Sequence, residues 1–323
     1  MNTNYTLSRV LRGIGGRLWW FLMIPAMFQL SRKKAYQRTA FYSLRDKFGL
    51  LYGEMVGWDY KKFSIPFWEA MNSRFAKVLL PQPPFSFLQL SETRATMFGP
   101  YKSKLSTAAL GYLEQRLSQE RLDFLLQEDY VGKPTLVNSK YRASGNTIFH
   151  LYHFMRFADN IRCNFEEITT VVDWGGGYGS MARLFDRLAT KPYTYIIIDT
   201  PLFSCLQWLY LSSILGEQRV HILNQPQSEI EIGKINLLPL CFLEQVRIRC
   251  DLFISTWALS ESSEYAQDYV VGQDWFGARH ALLAFQSTNN QFKYANRLGQ
   301  IAGGYGAKVE EMNFFPSNYY AMF

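Results

Sequence analysis

The sequence has few of the residues that build metal centres and disulfide frameworks. It contains four histidines and four cysteines in 323 residues, and the cysteines show no CxxC or other metal-type spacing. Three of the four, Cys205, Cys241 and Cys250, fall in apolar runs, where a reduced thiol packs as a small hydrophobe. The composition predicts a reducing compartment, no disulfide framework and no metal site.

A long hydrophobic run is also missing. The largely apolar stretch near the N-terminus, residues 18–30, has thirteen residues and contains Pro25, whereas a helix that crosses a bilayer needs roughly 20. No small-residue cleavage site follows it, and residues 32–34 are basic, so a secretory signal is not expected.

Acidic residues are nearly absent from the N-terminus. Residues 1–48 contain nine Lys or Arg and one acid, Asp46, while the rest of the chain has 25 basic and 26 acidic residues. The balanced remainder predicts no nucleic-acid groove. Basic residues flanking Trp19 and Trp20 favour attachment to an anionic membrane surface; the alternative is a first helix packed on the body of the protein.

These features divide the chain into three parts. Residues 1–48 form the basic, aromatic segment, and residues 49–165 read as a mainly helical cap or substrate region that includes one helix over 105–128. A further helix over 147–160 has His150 and His153 on roughly one face, but no HExxH accompanies them, so we expect residues lining a cleft and no zinc ligands. Residues 166–323 read as a sheet domain.

The sheet domain is organised around residues 170–201. An apolar β-branched run breaks into a glycine turn, Ser180 follows as an expected helix N-cap, and a second apolar run ends in Asp199. This order of strand, glycine turn, helix and strand is half of a nucleotide-binding sheet, with its ligand at the carboxyl ends of the strands. The candidate binding residues of the turn are Gly175, Gly177, Tyr178 and Gly179.

Two residues in this stretch indicate the chemistry of the ligand. Asp199 is placed to accept hydrogen bonds from the hydroxyls of a ribose. Residues 177–182 also fit GxGxxA, a dinucleotide pattern, but Asp173 stands where the strand that enters a dinucleotide loop is normally apolar. A carboxylate there favours a cationic ligand such as S-adenosylmethionine over a pyrophosphate. A glycine turn that binds nothing is the remaining interpretation.

Further strands are expected after this unit. Residues 220–224 read as the third strand, and residues 235–239 are expected to close over an adenine, with Asn236 and Leu237 in contact. The fourth strand leads into Ser255, Thr256 and Trp257, which we expect beside the glycine turn. The chain ends in two apolar runs that read as an antiparallel pair turned at residues 316–317.

The string VVDWGGGYG resembles motif I of the class I methyltransferases. With VGKP before it and YIIIDTP, INLLP and DLFISTWALSE after it, the order over residues 130–323 is similar to bacterial sugar O-methyltransferases encoded with surface polysaccharide genes. The resemblance implies a Rossmann-like α/β sheet, mostly parallel with an antiparallel last strand, below a mainly helical N-terminal region. It also implies S-adenosylmethionine as cofactor and a sugar hydroxyl as acceptor.

The same resemblance suggests roles for individual residues. Thr200 and Pro201 belong to the DTP element of the cofactor site, and Glu261 matches an acidic residue that the family has after the fourth strand. Because a sugar hydroxyl is a poor nucleophile, we expect Glu261 to act as general base, with His153 second and His280 third. The alternative for Glu261 is an acid stabilised at a helix N-terminus.

The expected setting is cytoplasmic, at the inner face of the membrane, with a lipid-linked or nucleotide-linked glycan as acceptor. Two other functions stay open from the sequence. One is a non-catalytic partner or glycan-binding protein with the same fold, and the other is an NAD(P)-dependent oxidoreductase or epimerase.

Overall fold

The N-terminal half of the chain is helical. The computed structural model describes residues 4–97 and 103–323, with side chains described from residue 30 onward except at residues 103 and 104. Its first elements are α1 (Asn4–Met55), α2 (Pro66–Leu79), α3 (Ser91–Thr96), α4 (Ser103–Glu114), α5 (Gln119–Leu126), a small hairpin of β1 (Leu136–Asn138) and β2 (Ala143–Ser144), and α6 (Gly145–Ile161).

The remainder of the chain builds one eight-stranded sheet with helices between its strands. Its elements are β3 (Thr170–Trp174), α7 (Ser180–Leu188), β4 (Thr194–Asp199), α8 (Pro201–Leu215), β5 (Val220–Ile222), β6 (Ile235–Pro239), β7 (Leu252–Thr256), α9 (Glu264–Gly272), α10 (Asp274–Gly277), β8 (His280–Gln286), α11 (Arg297–Gly304), β9 (Lys308–Glu311) and β10 (Asn318–Met322).

The strand order is β5-β6-β4-β3-β7-β8-β10-β9. Strands β3 to β8 pair in parallel, and β10 is antiparallel to both of its neighbours. This arrangement, below a helical N-terminal region, confirms the predicted fold class. From β3 the chain moves outward through β4, and it returns to the other side of β3 at β7, so the carboxyl ends of β3 and β7 flank the point at which the strand order reverses.

The structure corrects the expectation for residues 235–239. They form β6, which pairs with β4 along its whole length, whereas the expected third strand, β5, lies outside it as a three-residue edge strand. All five residues of β6 are buried. An apolar run of this length satisfies its backbone groups better in a sheet than in a loop over a ligand, because buried amides need partners.

Two helix boundaries also differ from the sequence-based prediction. The helix expected over 105–128 is two helices, α4 and α5, because the Ser118 side chain caps α5 by accepting a hydrogen bond from the Arg121 amide (3.2 Å). Ser180 is the first residue of α7, and Gly179, at φ +96°, is its N-cap. The left-handed conformation at Gly179 suits glycine, so the cap falls one residue earlier than expected.

From residue 30 onward, α1 is packed on the body of the protein. It lies against α8 and buries Phe41, Phe48 and Met55. Membrane attachment was expected through residues 14–30, and all of their side chains except that of residue 30 lie outside the described part of the chain. Among the residues described, none of the helices combines the length and the hydropathy that a bilayer-crossing segment requires.

A buried ionic network joins α1, the segment after α5, and α7. The fully buried guanidinium of Arg183 contacts the carboxylates of Glu128 (2.9 Å) and Asp129 (3.3 Å), and it also donates to Thr147. Asp129 is further paired with Arg187 and Lys33, each at 2.7 Å. Burial alone would raise the pKa of Asp129, but Arg187, Arg183 and Lys33 outweigh it and hold that pKa well below its ordinary value.

Candidate active site

A cavity of about 570 Å³ opens at the carboxyl ends of the central strands. It lies where the strand order reverses, which is the usual ligand position in open α/β sheets. Nine of the fifteen site residues expected from the sequence line it: His153, Gly175, Gly177, Tyr178, Asp199, Thr200, Thr256, Trp257 and Glu261. Residues from several strands and from the helical region therefore line the same cavity.

The glycine turn forms the floor of this cavity next to β4. The Gly175 amide donates to the Ile198 carbonyl (2.8 Å), which holds the turn against β4. At φ +77°, a Cβ on Gly175 would lie 2.0 Å from the Cβ of Ala258. Gly177, at φ +58°, has open space around the position of a Cβ. Gly175 is therefore required for packing, whereas Gly177 leaves the backbone accessible from the cavity.

Replacement of Gly175 and Gly177 by alanine should separate the cost of a steric clash from the cost of a left-handed backbone conformation. Gly175→Ala combines a left-handed backbone with a steric clash, so we expect it to lower the free energy of unfolding by about 2–3 kcal/mol. Gly177→Ala keeps only the backbone cost and should lower it by about 1 kcal/mol. Urea unfolding measures both values, and equal losses would show that the contact with Ala258 does not constrain the turn.

Asp173 lies beneath the turn and does not line the cavity. Its Oδ2 accepts a hydrogen bond from the Tyr195 hydroxyl (3.0 Å) and lies 3.3 Å from the position that a Cβ on Gly176 would occupy. Burial raises the pKa of Asp173 to about 7, although the Tyr195 hydroxyl opposes that rise. The carboxyl group thus lies directly against the turn, away from bulk water.

Asp199 lies at the end of β4 with its carboxylate in the cavity wall. Oδ1 accepts from the Thr200 amide and Oδ2 from the Gln207 side chain, both at 2.8 Å. Burial raises the pKa of Asp199 to about 7, while these donors oppose the rise. Each carboxylate oxygen has a second lone pair, so the side chain is fixed in place and can still accept hydrogen bonds from a diol.

The other expected cofactor residues lie outside the cavity lining. Gly179 packs against Leu211, and Pro201 is the first residue of α8. The Ser255 hydroxyl donates to the Trp174 carbonyl (3.3 Å) and accepts from the Leu259 amide (2.9 Å), which fixes the loop after β7. None of these three residues lines the cavity.

Asn236 and Leu237 are not brought to the site. They are central residues of β6, and the Asn236 side chain is occupied by the backbone of Glu231 and Lys234. Leu240, immediately after β6, lines the cavity in their place. The prediction that Asn236 and Leu237 contact the ligand is therefore wrong, because residues 235–239 pair with β4 in the sheet.

Glu261 lines the cavity from the loop between β7 and α9. Its Oε1 accepts a hydrogen bond from the Gln286 amide (3.2 Å). Burial raises the pKa of Glu261 to about 7, opposed by hydrogen bonds from Gln286 and Trp68. Helix α9 is capped by Ser263, so Glu261 is not needed as a cap at that helix N-terminus.

His153 also lines the cavity, but its environment is less suited to a base. Its Nδ1 is hydrogen-bonded to the Tyr320 hydroxyl, and its ring packs against Trp257. Burial, with a smaller contribution from His150, lowers the pKa of His153 to about 3. His280 begins β8 and is absent from the lining. Of the two candidates that line the cavity, Glu261 has the pKa nearer to neutrality.

Several lining residues were not predicted from the sequence. Gln286 and Asn318 are paired across β8 and β10 in the sheet register, and the Asn318 Oδ1 accepts from the Trp257 indole (2.7 Å). Phe63 and Trp68 reach the cavity from the helical region. The position of Gln286 at the carboxyl end of a parallel strand is a signal that could have identified it.

The charge of the cavity is distinctive. Its described lining residues include the carboxylates of Asp199 and Glu261 but no lysine or arginine. The rest of the wall is dominated by aromatic side chains, namely Phe63, Trp68, Phe149, Trp174, Tyr178, Phe203, Trp257, Phe292 and Phe315. Within the described ranges, no group of three or more His, Cys, Asp or Glu is placed to hold a metal ion.

No protein-family model matches the sequence, and no curated protein sequence matches it either. Many solved structures resemble the chain, and three of them serve as examples. The pyocyanin biosynthetic protein PhzM aligns at 14% identity over 55% of this chain and 56% of its own, with a TM-score of 0.35. Magnesium protoporphyrin IX methyltransferase ChlM from Synechocystis PCC 6803 with bound SAM aligns at 13% identity over 70% and 97%, with a TM-score of 0.38. Human N-acetylserotonin methyltransferase in complex with SAM aligns at 11% identity over 72% and 74%, with a TM-score of 0.33.

The sequence identities and TM-scores of these three structures are low, and the alignment spans little more than half the length of PhzM. Other matches include the small RNA methyltransferase HEN1 and the 16S rRNA methylase ArmA, so the expected exclusion of nucleic acid gains no support from them. The assignment of the fold rests on the strand order of the sheet itself.

Proposed function

We propose that this protein is an S-adenosylmethionine-dependent methyltransferase that methylates a hydroxyl of a sugar. The observation that carries the donor assignment is the charge of the cavity: two carboxylates and no described lysine or arginine in its lining, with a third carboxylate, Asp173, beneath the glycine turn. Such a site favours a ligand with an ammonium and a sulfonium group, and it offers a pyrophosphate no charged partner.

The residues present fit this cofactor. Asp199 would accept hydrogen bonds from the ribose hydroxyls, and the open space at Gly177 would let the backbone approach the amino acid part of the donor. Apolar residues beside β4 and β6, including Phe203 and Leu240, offer a surface for the adenine. When bound, S-adenosylmethionine supplies an electrophilic methyl group; the protein has to place a nucleophile beside it.

The aromatic and polar residues of the cavity wall support a sugar as the acceptor. Trp68, Trp257, Phe292 and Phe315 give flat apolar walls, and the polar groups of Glu261, Gln286 and Asn318 lie among them. A pyranose has apolar faces and a rim of hydroxyls, so both kinds of wall are matched. Glu261 would accept the proton of the attacking hydroxyl, while Gln286 holds the carboxylate in position.

Donor binding is the first prediction of this proposal. S-adenosylmethionine at 100 times its dissociation constant should stabilise the folded protein by about 2.7 kcal/mol, whereas NAD should produce no shift. A thermal shift with NAD alone would favour the oxidoreductase interpretation, and no shift with either would favour a non-catalytic protein. Asp199→Asn should weaken S-adenosylmethionine about 10- to 100-fold, because it removes a charged hydrogen-bond acceptor. Asp186→Asn, in α7 but outside the cavity lining, should leave the affinity unchanged.

The acceptor is tested separately with S-adenosylmethionine labelled with ¹³C at the methyl group. The purified protein is incubated with the membrane fraction and the soluble fraction of the source cells, and labelled products are identified by mass spectrometry. Label in lipid-extractable glycan supports a lipid-linked acceptor at the inner membrane surface, in keeping with the basic residues 1–48 and a role in surface polysaccharide biosynthesis. Label in nucleotide sugars supports a soluble precursor, and label only in RNA or in a planar aromatic compound would contradict the sugar assignment.

A further inference from the structure

A second cavity, of about 270 Å³, lies between α1 and the turn that follows α5. Its lining includes three basic residues, Lys34, Lys133 and Arg142, together with Tyr130, Glu128 and Asp129. It shares no lining residue with the large cavity. The donor and acceptor sites described above therefore make no use of it.

The two acids of this second cavity are already neutralised. Glu128 and Asp129 are buried, and they are paired with three cations, Arg183, Arg187 and Lys33. No carboxylate in the described part of the chain forms an ion pair with Lys34, Lys133 or Arg142. The charge that the cavity presents to a ligand is therefore positive.

Two of the three basic side chains lie close to one aromatic ring, that of Tyr130. Lys34 Nζ lies 5.9 Å, and the guanidinium carbon of Arg142 5.8 Å, from the centroid of Tyr130. An Arg142 Nη2 also donates to the Tyr130 hydroxyl (2.8 Å). This hydroxyl therefore accepts from the guanidinium and has its own proton to donate to a ligand.

The backbone that presents these groups is held in uncommon conformations. Lys133 and Arg142 both have φ of +52°, in the left-handed region that side chains rarely adopt. The turn at Gly132 is anchored on both sides, since its amide donates to the Phe85 carbonyl (3.0 Å) and its carbonyl accepts from the Leu88 amide (3.2 Å). Such strain persists only where the surrounding structure enforces it, so the two cations are presented by a fixed frame.

We infer that this second cavity binds a phosphate group, through Lys34, Lys133, Arg142 and the hydroxyl of Tyr130. A guanidinium is suited to the paired oxygens of a phosphate, and lysine ammonium groups add charge without fixed geometry. The phosphate of a lipid headgroup and that of a soluble phosphorylated compound share this chemistry. The inference is independent of the proposed methyl transfer, and its failure would leave the large cavity unaffected.

The test measures binding of inorganic pyrophosphate to the full chain by calorimetry, and binding to vesicles that contain phosphatidic acid by flotation. The double variant Lys34→Gln/Lys133→Gln removes two exposed cations and should weaken binding by about tenfold or more per cation, the low end for a charge-assisted hydrogen bond. Arg142→Gln should do the same independently. Lys140→Gln is the matched control, because Lys140 lies in the same β1–β2 hairpin but pairs with Glu114 (3.1 Å) and does not line the cavity.

Saturable pyrophosphate binding that the double variant loses and the control retains supports a soluble phosphate ligand. Vesicle binding with the same dependence, and no binding of pyrophosphate, supports a lipid phosphate. If neither probe binds, or if the double variant, Arg142→Gln and the control all bind as the unmodified protein does, the inference is wrong. Thermal unfolding of each variant shows whether a loss of binding comes from a loss of fold.

Discussion

Replacement of Arg183 by methionine is expected to lower the free energy of unfolding by about 3–5 kcal/mol, because one partner of a buried ion pair is removed and the other remains. Glu128 would keep its hydrogen bonds with Ser144 and Thr147 but lose the cation at 2.9 Å. Asp129 would retain Arg187 and Lys33. The cost should therefore come mainly from a buried carboxylate left without a counter-ion.

A surface pair gives the matched control for this variant. Arg279→Met removes a guanidinium that is largely exposed and lies 3.1 Å from Asp251. Exposed pairs contribute about 0–1 kcal/mol, so urea unfolding should show a small loss for this variant. The double variant Arg183→Met/Glu128→Gln should recover part of the stability, since an amide can satisfy the same hydroxyl groups without a charge. A loss of less than 1 kcal/mol for Arg183→Met would show that the network does not stabilise the fold.

The acid sensitivity of the protein should change in the same variant. The pKa of Asp129 is lowered in the folded state, so the stability it contributes is present above its ordinary pKa and is lost as the pH falls below that value. Arg183 is one of the three cations responsible for that lowering. In Arg183→Met, the folded-state pKa should lie closer to the ordinary value, and the slope of stability against pH below pH 4 should become shallower.

Arg183 also illustrates what the sequence could not predict. It lies in α7, a helix that the spacing of its apolar residues predicted. Its burial, however, depends on residues 128 and 129, which are about 55 positions away in the chain. Nothing local indicates that this arginine is covered. The strands behind the glycine turn were predictable because apolar run, break and acid follow one another within 30 residues, and each of these signals is local.

The prediction for residues 235–239 was wrong for a related, non-local reason. Their apolar run was recognised, but its role depended on which strand would pair with β4, and local sequence does not decide such pairing. The aromatic wall of the cavity was missed in the same way, because Phe63 and Trp68 come from a helical region without a motif. Glu261 was identified since it follows a parallel strand at the carboxyl end, where position alone predicts proximity to the site.

Glu261→Gln is expected to reduce the rate of methyl transfer about 10²- to 10⁴-fold, the contribution typical of general base catalysis. The substitution keeps the shape of the side chain and its hydrogen-bonding capacity toward Gln286, so binding of S-adenosylmethionine should be unchanged. The measurement is kcat with the acceptor identified by the labelling experiment, alongside the affinity of the donor from calorimetry. A fall in donor affinity equal to the fall in kcat would indicate a structural role instead.

The pH dependence distinguishes Glu261 from His153 as the base. The carboxylate accepts a proton only when it is deprotonated, and its pKa is raised to about 7, so the rate should rise as the pH increases through about 7 and then level off. The pKa of His153 is lowered to about 3, so a rate controlled by His153 would be flat over that range. The rate is measured with S-adenosylmethionine saturating, because Asp199 and Asp173 also have a pKa raised to about 7 and would affect donor binding. Under that condition the rise in kcat near pH 7 should disappear in Glu261→Gln, whereas His153→Asn should retain it. A rise in kcat that survives in Glu261→Gln would contradict the assignment of this carboxylate as the base.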